Sequence, residues 1–242
     1  MLARYLLAIT ILFSSASAAS HMTHAYLAER WLAHCGNAYD DTYKRNFIIG
    51  TLFPDIRYMA KIERAKTHKY GVSLKKIAYY HDAFAAGKQF HSYVDETREG
   101  FVKKSGVLAK LPEIIQPNMR VGFLKILEDE IFCNQLDRKK IQNYFYHIDP
   151  AEYKFDIPSH IIQKWHEHLN HYFGRRPSLT CTVAGTVHLR FFSLTPQQLK
   201  QTSTLLKKLA HHETFIDYTK KLTEIFDKKF KKVKIRPQKA TS

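Results

Sequence analysis

Cysteine is scarce in this chain of 242 residues, which contains Cys35, Cys133 and Cys181 and no other cysteine. Three thiols cannot all pair within one molecule, and the sequence does not say which two would join in an oxidising compartment. A disulfide-stapled scaffold is therefore excluded. Stability has to come from a hydrophobic core or from bound metal.

Long apolar runs are absent from the chain after its N-terminal segment. No later segment approaches the roughly 18 apolar residues of a transmembrane helix. At the N-terminus itself, Arg4 precedes an apolar run over residues 5–13 and the small residues SSASAAS. This order is typical of a secretory signal peptide. We predict a signal peptide over residues 1–19 and an exported protein, periplasmic or secreted; an uncleaved N-terminal anchor is the alternative.

Acidic residues are few: 22 Asp and Glu stand against 38 Lys and Arg, which gives a formal net charge of +16. Much of the excess lies in the last stretch, KKLTEIFDKKFKKVKIRPQKATS. Such a balance favours anionic partners, which include phosphates, anionic lipid head groups and nucleic acid. A solvated basic face is the other interpretation. We expect residues 233–242 to form a basic, disordered tail.

The pattern of apolar residues is helical almost throughout, and no repeat or linker divides the chain. We predict one all-α domain over residues 20–232, with Thr23 capping the first helix, a second helix over residues 83–104, and a helix that starts at Pro196 after a Thr195 cap. The stretch TCTVAGTVHLRFF is rich in β-branched residues and fits a strand or a buried helix. Gly87, in the middle of the second helix, predicts close packing or close approach to a site.

Histidine is abundant, with fourteen residues in the chain. In FHSYVDETRE, His91 and Asp95 are four residues apart, so on a helix they share a face and can share one cation. Asp55 follows a proline in FIIGTLFPDIRY, and His68 and His24 each follow a threonine, in KTHKYG and MTHAYL. Three histidines and two carboxylates suit a zinc site, and five ligands with one shared carboxylate suit two ions better than one.

In this order, the residues resemble the zinc-dependent phospholipase C family, an all-helical group similar to S1/P1-type nucleases. The resemblance covers about residues 20 to 100 and is carried by MTHAYLAE, by F-x-x-G-x-x-x-P-D over residues 47–55, by His68 and by F-H-x-x-x-D over residues 90–95. It implies that the metal ligands are His24, Asp55, His68, His91 and Asp95. It also implies that Asp55 is the bridging ligand and the catalytic base.

The sequence departs from this family in two places. After the His-x-x-x-Asp helix, the family has another histidine and then a His-x-x-x-Glu pair, whereas here ETREGFVKKSG follows Asp95 and contains no histidine. The later cluster HEHLNH either supplies substitute ligands or forms a polar helix face. In the family, the mature N-terminus also binds metal. Cleavage after Ala18 or Ala19 would leave Ala19 or Ser20 first, whereas cleavage after Ser20 would present the amine and imidazole of His21 to a cation.

The function that the resemblance implies is hydrolysis of phosphodiesters by metal-activated water, most simply of phospholipid head-group esters. Arg57, Lys69 and Arg98 are candidates to add positive charge beside the phosphate. The basic C-terminus fits peripheral contact with an anionic membrane surface. It fits nucleic acid as well, so a nuclease is the main alternative, and a non-catalytic secreted binding protein on the same scaffold is another.

Overall fold

A computed structural model describes residues 19–179 and 196–235. Four parts of the sequence predictions lie outside this part of the chain: the signal peptide up to residue 18, all of TCTVAGTVHLRFF with Cys181, the Thr195 cap, and residues 236–242. Its α-helices, numbered in chain order, are α1 (His21–Cys35), α2 (Asp41–Leu52), α3 (Arg57–Ala60), α4 (Arg64–Thr67), α5 (Leu74–Ile77), α6 (Ala83–Ser105), α7 (Arg120–Phe132), α8 (Arg138–Tyr144), α9 (Ser159–Gly174), α10 (Pro196–Ala210) and α11 (Glu213–Phe230). Short 3-10 helices lie at Gly36–Ala38, Phe53–Ile56, Val107–Lys110, Pro117–Met119 and Pro150–Phe155.

The predicted all-α class is confirmed, because the residues that the structure describes form helices and turns with no β-strand. The main core is built from the apolar faces of α1, α2, α6, α9 and α11, and a second cluster fills the space between α7, α10 and the end of α6. Val233 and Ile235 pack against the main core. Across the described ranges, no helix combines the length and the apolar character needed to cross a membrane.

Helices α2 and α6 cross in close contact because each contributes a glycine at the crossing. A Cβ atom on Gly50 would lie 2.8 Å from the carbonyl carbon of Phe84, and one on Gly87 would lie 2.7 Å from the backbone nitrogen of Thr51. Neither position has room for a side chain. The close packing predicted from Gly87 is therefore confirmed, and it brings the end of α2 against the buried side of α6.

The first turn of α1 is held by a carboxylate from another helix. Asp129 of α7 accepts hydrogen bonds from the backbone nitrogens of Met22 and Thr23, at 3.1 and 2.8 Å, and from Oγ1 of Thr23 at 2.7 Å. The prediction that Thr23 caps this helix is wrong, because the helix begins at His21 with Ser20 in the cap position. Asp129 replaces a local cap, because it accepts hydrogen bonds from backbone nitrogens that have no partner within the helix.

Within the described residues, two cysteines are present and neither forms a disulfide. Cys35 and Cys133 are both buried and are not bonded to each other. Burial raises the pKa of both thiols, to about 12 for Cys35. Both therefore remain protonated at neutral pH and behave as small core residues.

Candidate metal centre

Helix α6 places His91 and Asp95 one turn apart on its buried side, with 0% and 3% of each residue exposed. The Nδ1 atom of His91 lies 2.8 Å from the carbonyl oxygen of Thr51, at the end of α2. A carbonyl only accepts hydrogen bonds, so Nδ1 donates and Nε2 is the atom left to ligate. Metal-binding histidines are oriented in this way.

His68 comes to the same point from the end of α4. Its Nδ1 atom lies 2.8 Å from Oγ1 of Thr67, and its Nε2 atom lies 3.0 Å from Nε2 of His91. Both Nε2 atoms are near Oδ2 of Asp95, at 3.6 Å for His68 and 3.5 Å for His91. Ligand atoms bound about 2.0–2.1 Å from a tetrahedral ion are about 3.3 Å apart. The three atoms thus have the spacing of ligands around one ion.

His24 reaches the cluster from α1 and is fully buried. Its ring stacks on that of His91, with centroids 3.9 Å apart, and its Nδ1 atom makes no hydrogen bond. Its Nε2 atom faces Oδ1 of Asp95 at 3.2 Å. Leaving a buried polar atom unpaired costs about 1–3 kcal/mol, so the Nδ1 atom calls for a ligand. Ligand atoms of His24, Asp55 and His91 lie within 4.8 Å of one another.

Asp55 lies in the 3-10 helix that follows α2, directly after Pro54, and is 6% exposed. Its Oδ2 atom is 3.6 Å from Nδ1 of His21. The ring of His21 packs edge-on against Trp165, His168 and Tyr172 of α9, and its Nδ1 atom is buried without a hydrogen bond. His21 thus joins the cluster through its imidazole.

The carboxylate of Asp95 lies between two sets of partners. Its Oδ1 atom faces His24 and accepts a hydrogen bond from the backbone nitrogen of Ala19 at 2.8 Å. Its Oδ2 atom faces His68 and His91 and accepts a hydrogen bond from a guanidinium nitrogen of Arg64 at 3.0 Å. Asp95 is therefore the residue that connects the two sides of the cluster.

The protonation states of the cluster suit a cation. Burial disfavours the charged imidazole and lowers the pKa of His21 and His68 to about 3; it lowers that of His24 as well. Burial by itself would raise the pKa of Asp95, but the neighbouring His91 and His24 bring it well below its ordinary value. Neutral imidazoles at His21, His24 and His68 beside an ionised carboxylate are the forms that bind metal. Burial lowers the pKa of His91 as well, but Asp95 outweighs it and raises that pKa, so a bound ion would have to displace the proton of His91.

The structure brings together all five residues selected from the sequence, with His21 beside them. Two buried groups of three residues could each hold a metal ion, and His91 belongs to both: His24, Asp55 and His91, and His68, His91 and Asp95.

Several other candidates from the sequence have different roles. Arg98 is fully buried and donates two hydrogen bonds to Glu128, at 2.7 and 3.0 Å, so its charge is neutralised inside the fold. In HEHLNH, His166 pairs with the buried Glu152, whereas His171 is exposed and bonds within its own helix. His168 is exposed beside His21.

Sequence reasoning missed two groups next to the cluster. One is the guanidinium of Arg64, and the other is Lys125, whose pKa is lowered by burial and by Arg98 and which interacts with Asp55 and Asp95. A signal did exist for Arg64, because it precedes His68 by four residues. No spacing along the chain pointed to Lys125, whose helix comes from the second half of the sequence.

No protein-family model, no curated protein and no solved structure matches this chain. The fold and the site define an all-α domain with a buried histidine and aspartate cluster that could hold a metal ion. The resemblance to zinc-dependent phospholipases C rests on the residues quoted above and stays a prediction.

The buried histidines predict how stability depends on pH when a chelator is present. His21 and His68, with pKa values of about 3, stay neutral in the folded chain, whereas in the unfolded chain they take up protons below about pH 6.5. The folded chain therefore loses stability as the pH falls from about 6.5 towards 3, by up to about 1.4 kcal/mol per pH unit for each proton. His91, whose pKa is raised because Asp95 outweighs burial, opposes part of this loss.

Urea unfolding in EDTA at about pH 7 and about pH 5 checks this expectation. The His68→Gln variant should show a smaller difference between the two conditions. Equal or greater stability at the lower pH would contradict it.

Proposed function

We propose that this protein is a zinc-dependent phosphodiester hydrolase. The observation that carries the proposal is His24, a fully buried imidazole that stacks on His91, faces Asp95 through Nε2 and leaves Nδ1 without a hydrogen bond. The residues that the resemblance selects come from separate stretches of the chain, and they meet at this one point. Imidazole and carboxylate ligands with separations near 3.3 Å are those of a tetrahedral zinc site.

Two ions fit the arrangement better than one. One set of ligand atoms consists of the Nε2 atoms of His68 and His91 with Oδ2 of Asp95. A second set forms around His24 and Oδ1 of Asp95. The shared carboxylate would therefore be Asp95, whose two oxygens face opposite sets, and not Asp55 as the resemblance implies; Asp55 would join His24 and His91 in the second set.

Bound zinc supplies a Lewis acid for a phosphoryl oxygen and makes water a nucleophile at neutral pH. The chain supplies the proton acceptor. Burial opposes ionisation of Asp55, but His91 and then His21 outweigh it, so its pKa is lowered and the carboxylate stays ionised at neutral pH. Asp55 takes the proton of the attacking water while the new P–O bond forms and the ester P–O bond breaks. The departing alkoxide takes up a proton from solvent.

Export would complete the ligand set. The backbone nitrogen of Ala19 is 2.8 Å from Oδ1 of Asp95, and Ala19 is 3% exposed. In the precursor this nitrogen is an amide, which donates a hydrogen bond but does not ligate. Cleavage after Ala18 converts it into an amine with a lone pair, placed beside His24.

The substrate that fits best is a phospholipid head-group ester. Exposed lysines on α11 and after it favour an anionic membrane surface, where each contributes about 1 kcal/mol; they are Lys220, Lys221, Lys228, Lys229, Lys231, Lys232 and Lys234. Tyr70, which is 77% exposed and interacts with Arg64, favours the second candidate, a nuclease that stacks bases.

Zinc analysis of the chain beginning at Ala19, with hydrolysis assays on phosphatidylcholine vesicles and on single-stranded DNA, tests the proposal. We expect about two zinc ions per chain, cleavage of the lipid, and at least about tenfold weaker zinc binding when one extra residue precedes Ala19. DNA cleavage without lipid cleavage would support the nuclease. Zinc binding with neither activity would support a binding protein, and no zinc binding would overturn the metal site.

A further inference from the structure

Arg64 links the buried cluster to the surface. One of its guanidinium nitrogens donates a hydrogen bond to Oδ2 of Asp95 at 3.0 Å. The side chain of Arg64 is 29% exposed, whereas that of Asp95 is 5% exposed. The guanidinium thus lies at the boundary between solvent and the oxygen that faces His68 and His91.

The short helix α4 fixes this arginine relative to a candidate ligand. The backbone nitrogen of His68 donates to the carbonyl oxygen of Arg64 at 2.9 Å, and Oγ1 of Thr67 donates to the same oxygen at 3.3 Å. Residues four apart on one helical turn lie on the same side of it. The turn that brings His68 to the cluster therefore brings Arg64 as well.

The net charge of the cluster determines how Arg64 affects the binding of ligands. The two carboxylates of Asp55 and Asp95 offset only part of the four positive charges that two zinc ions would carry. The guanidinium of Arg64 then makes the site positive at its solvent side. A positive site attracts an anionic ligand and weakens the binding of further cations.

We propose that Arg64 binds the anionic phosphoryl group of the substrate beside the zinc site, at the expense of zinc affinity. The inference rests on the proposed function. A guanidinium has five N–H donors in a planar fork that matches two phosphate oxygens. One donor is used on Asp95 and another faces Tyr70, so the exposed part of the fork is free to meet a phosphate.

Arg64→Gln tests the inference because two measurements should change in opposite directions. Gln keeps an N–H donor for Oδ2 of Asp95 but carries no charge, so with zinc alone as the probe we expect binding to become about three- to tenfold tighter, since a repelling charge is removed. With inorganic phosphate as the probe on the zinc-loaded protein, we expect binding to become at least about tenfold weaker, the value of one charge-assisted hydrogen bond. Calorimetry measures both.

Two further variants separate charge from geometry. Arg64→Lys keeps the charge and loses the fork, so zinc binding should match that of the parent while phosphate binding falls partway. Arg45→Gln removes the same charge from the middle of α2, about 10 Å before the end of that helix at 1.5 Å per residue, and should change neither.

The outcomes distinguish this inference from the proposed function. A parent protein that binds no zinc would overturn both. A parent that binds zinc, together with an Arg64→Gln variant that binds phosphate as tightly as the parent, would overturn the role of Arg64 alone. Weaker phosphate binding in Arg45→Gln to the same extent would show a general effect of net charge and would also overturn it.

Discussion

The double variant His91→Ala, Asp95→Ala is expected to lose zinc binding and hydrolysis together. Both groups that could hold an ion include at least one of these residues, and Asp95 contacts both sides of the cluster. Losing an outer-shell partner of a metal typically lowers affinity about 10–100-fold, so removal of two direct ligands should lower it by at least about 10³-fold.

The measurement is zinc binding by competition with a chromophoric chelator, followed by hydrolysis assays at saturating zinc. His166→Ala is the matched control, because His166 is also buried and hydrogen bonded to a carboxylate, that of Glu152, outside the cluster. It should keep the zinc affinity of the parent. Unchanged zinc content in the double variant would mean that the whole assignment of ligands is wrong.

Gly87→Ala is expected to destabilise the fold by at least about 3 kcal/mol, at the upper end of the cost of overpacking. The new Cβ atom would collide with the carbonyl oxygen of Phe47 and lie 2.7 Å from the nitrogen of Thr51, and both atoms belong to the backbone of α2. Backbone atoms cannot rotate away, so α2 and α6 have to separate. The carbonyl oxygen of Thr51 would then withdraw from Nδ1 of His91.

Gly100→Ala is the control on the same helix. A Cβ atom on Gly100 would meet no atom within 4 Å, so this change should be neutral or stabilise the chain by up to about 1 kcal/mol. Urea unfolding in EDTA gives both free energies, and zinc titration follows the effect on the cluster. Equal stability of the two variants would contradict the close crossing of α2 and α6.

Much of the local structure could be predicted from the sequence, because it depends on neighbours along the chain. The helix predicted over residues 83–104 is found at Ala83–Ser105, and the helix predicted to start at Pro196 does so. The close packing at Gly87 was also predictable, because a glycine inside a helix lowers its stability and is expected where there is no room for a side chain. The spacing of His91 and Asp95 placed both on one face of α6.

The contacts that complete the cluster were not predictable, because they come from distant parts of the chain. Asp129 holds the first turn of α1 across more than a hundred residues, and no pattern near Thr23 indicated this. Arg98 has the same charge as Arg64 and lies one turn from Asp95 on α6. Burial against Glu128 removes it from the site, whereas Arg64 keeps an exposed edge.

The sequence by itself determined that this protein is helical and strongly basic, and it indicated which histidines and aspartates are candidate metal ligands. These follow from composition and periodicity, which need no knowledge of the fold. Only the tertiary structure decided that His24, Asp55, His68, His91 and Asp95 meet at one buried point. The packing of α1, α2, α4 and α6 sets those distances. It also decides whether a buried histidine nitrogen has a hydrogen-bond partner, because the possible partners come from other helices.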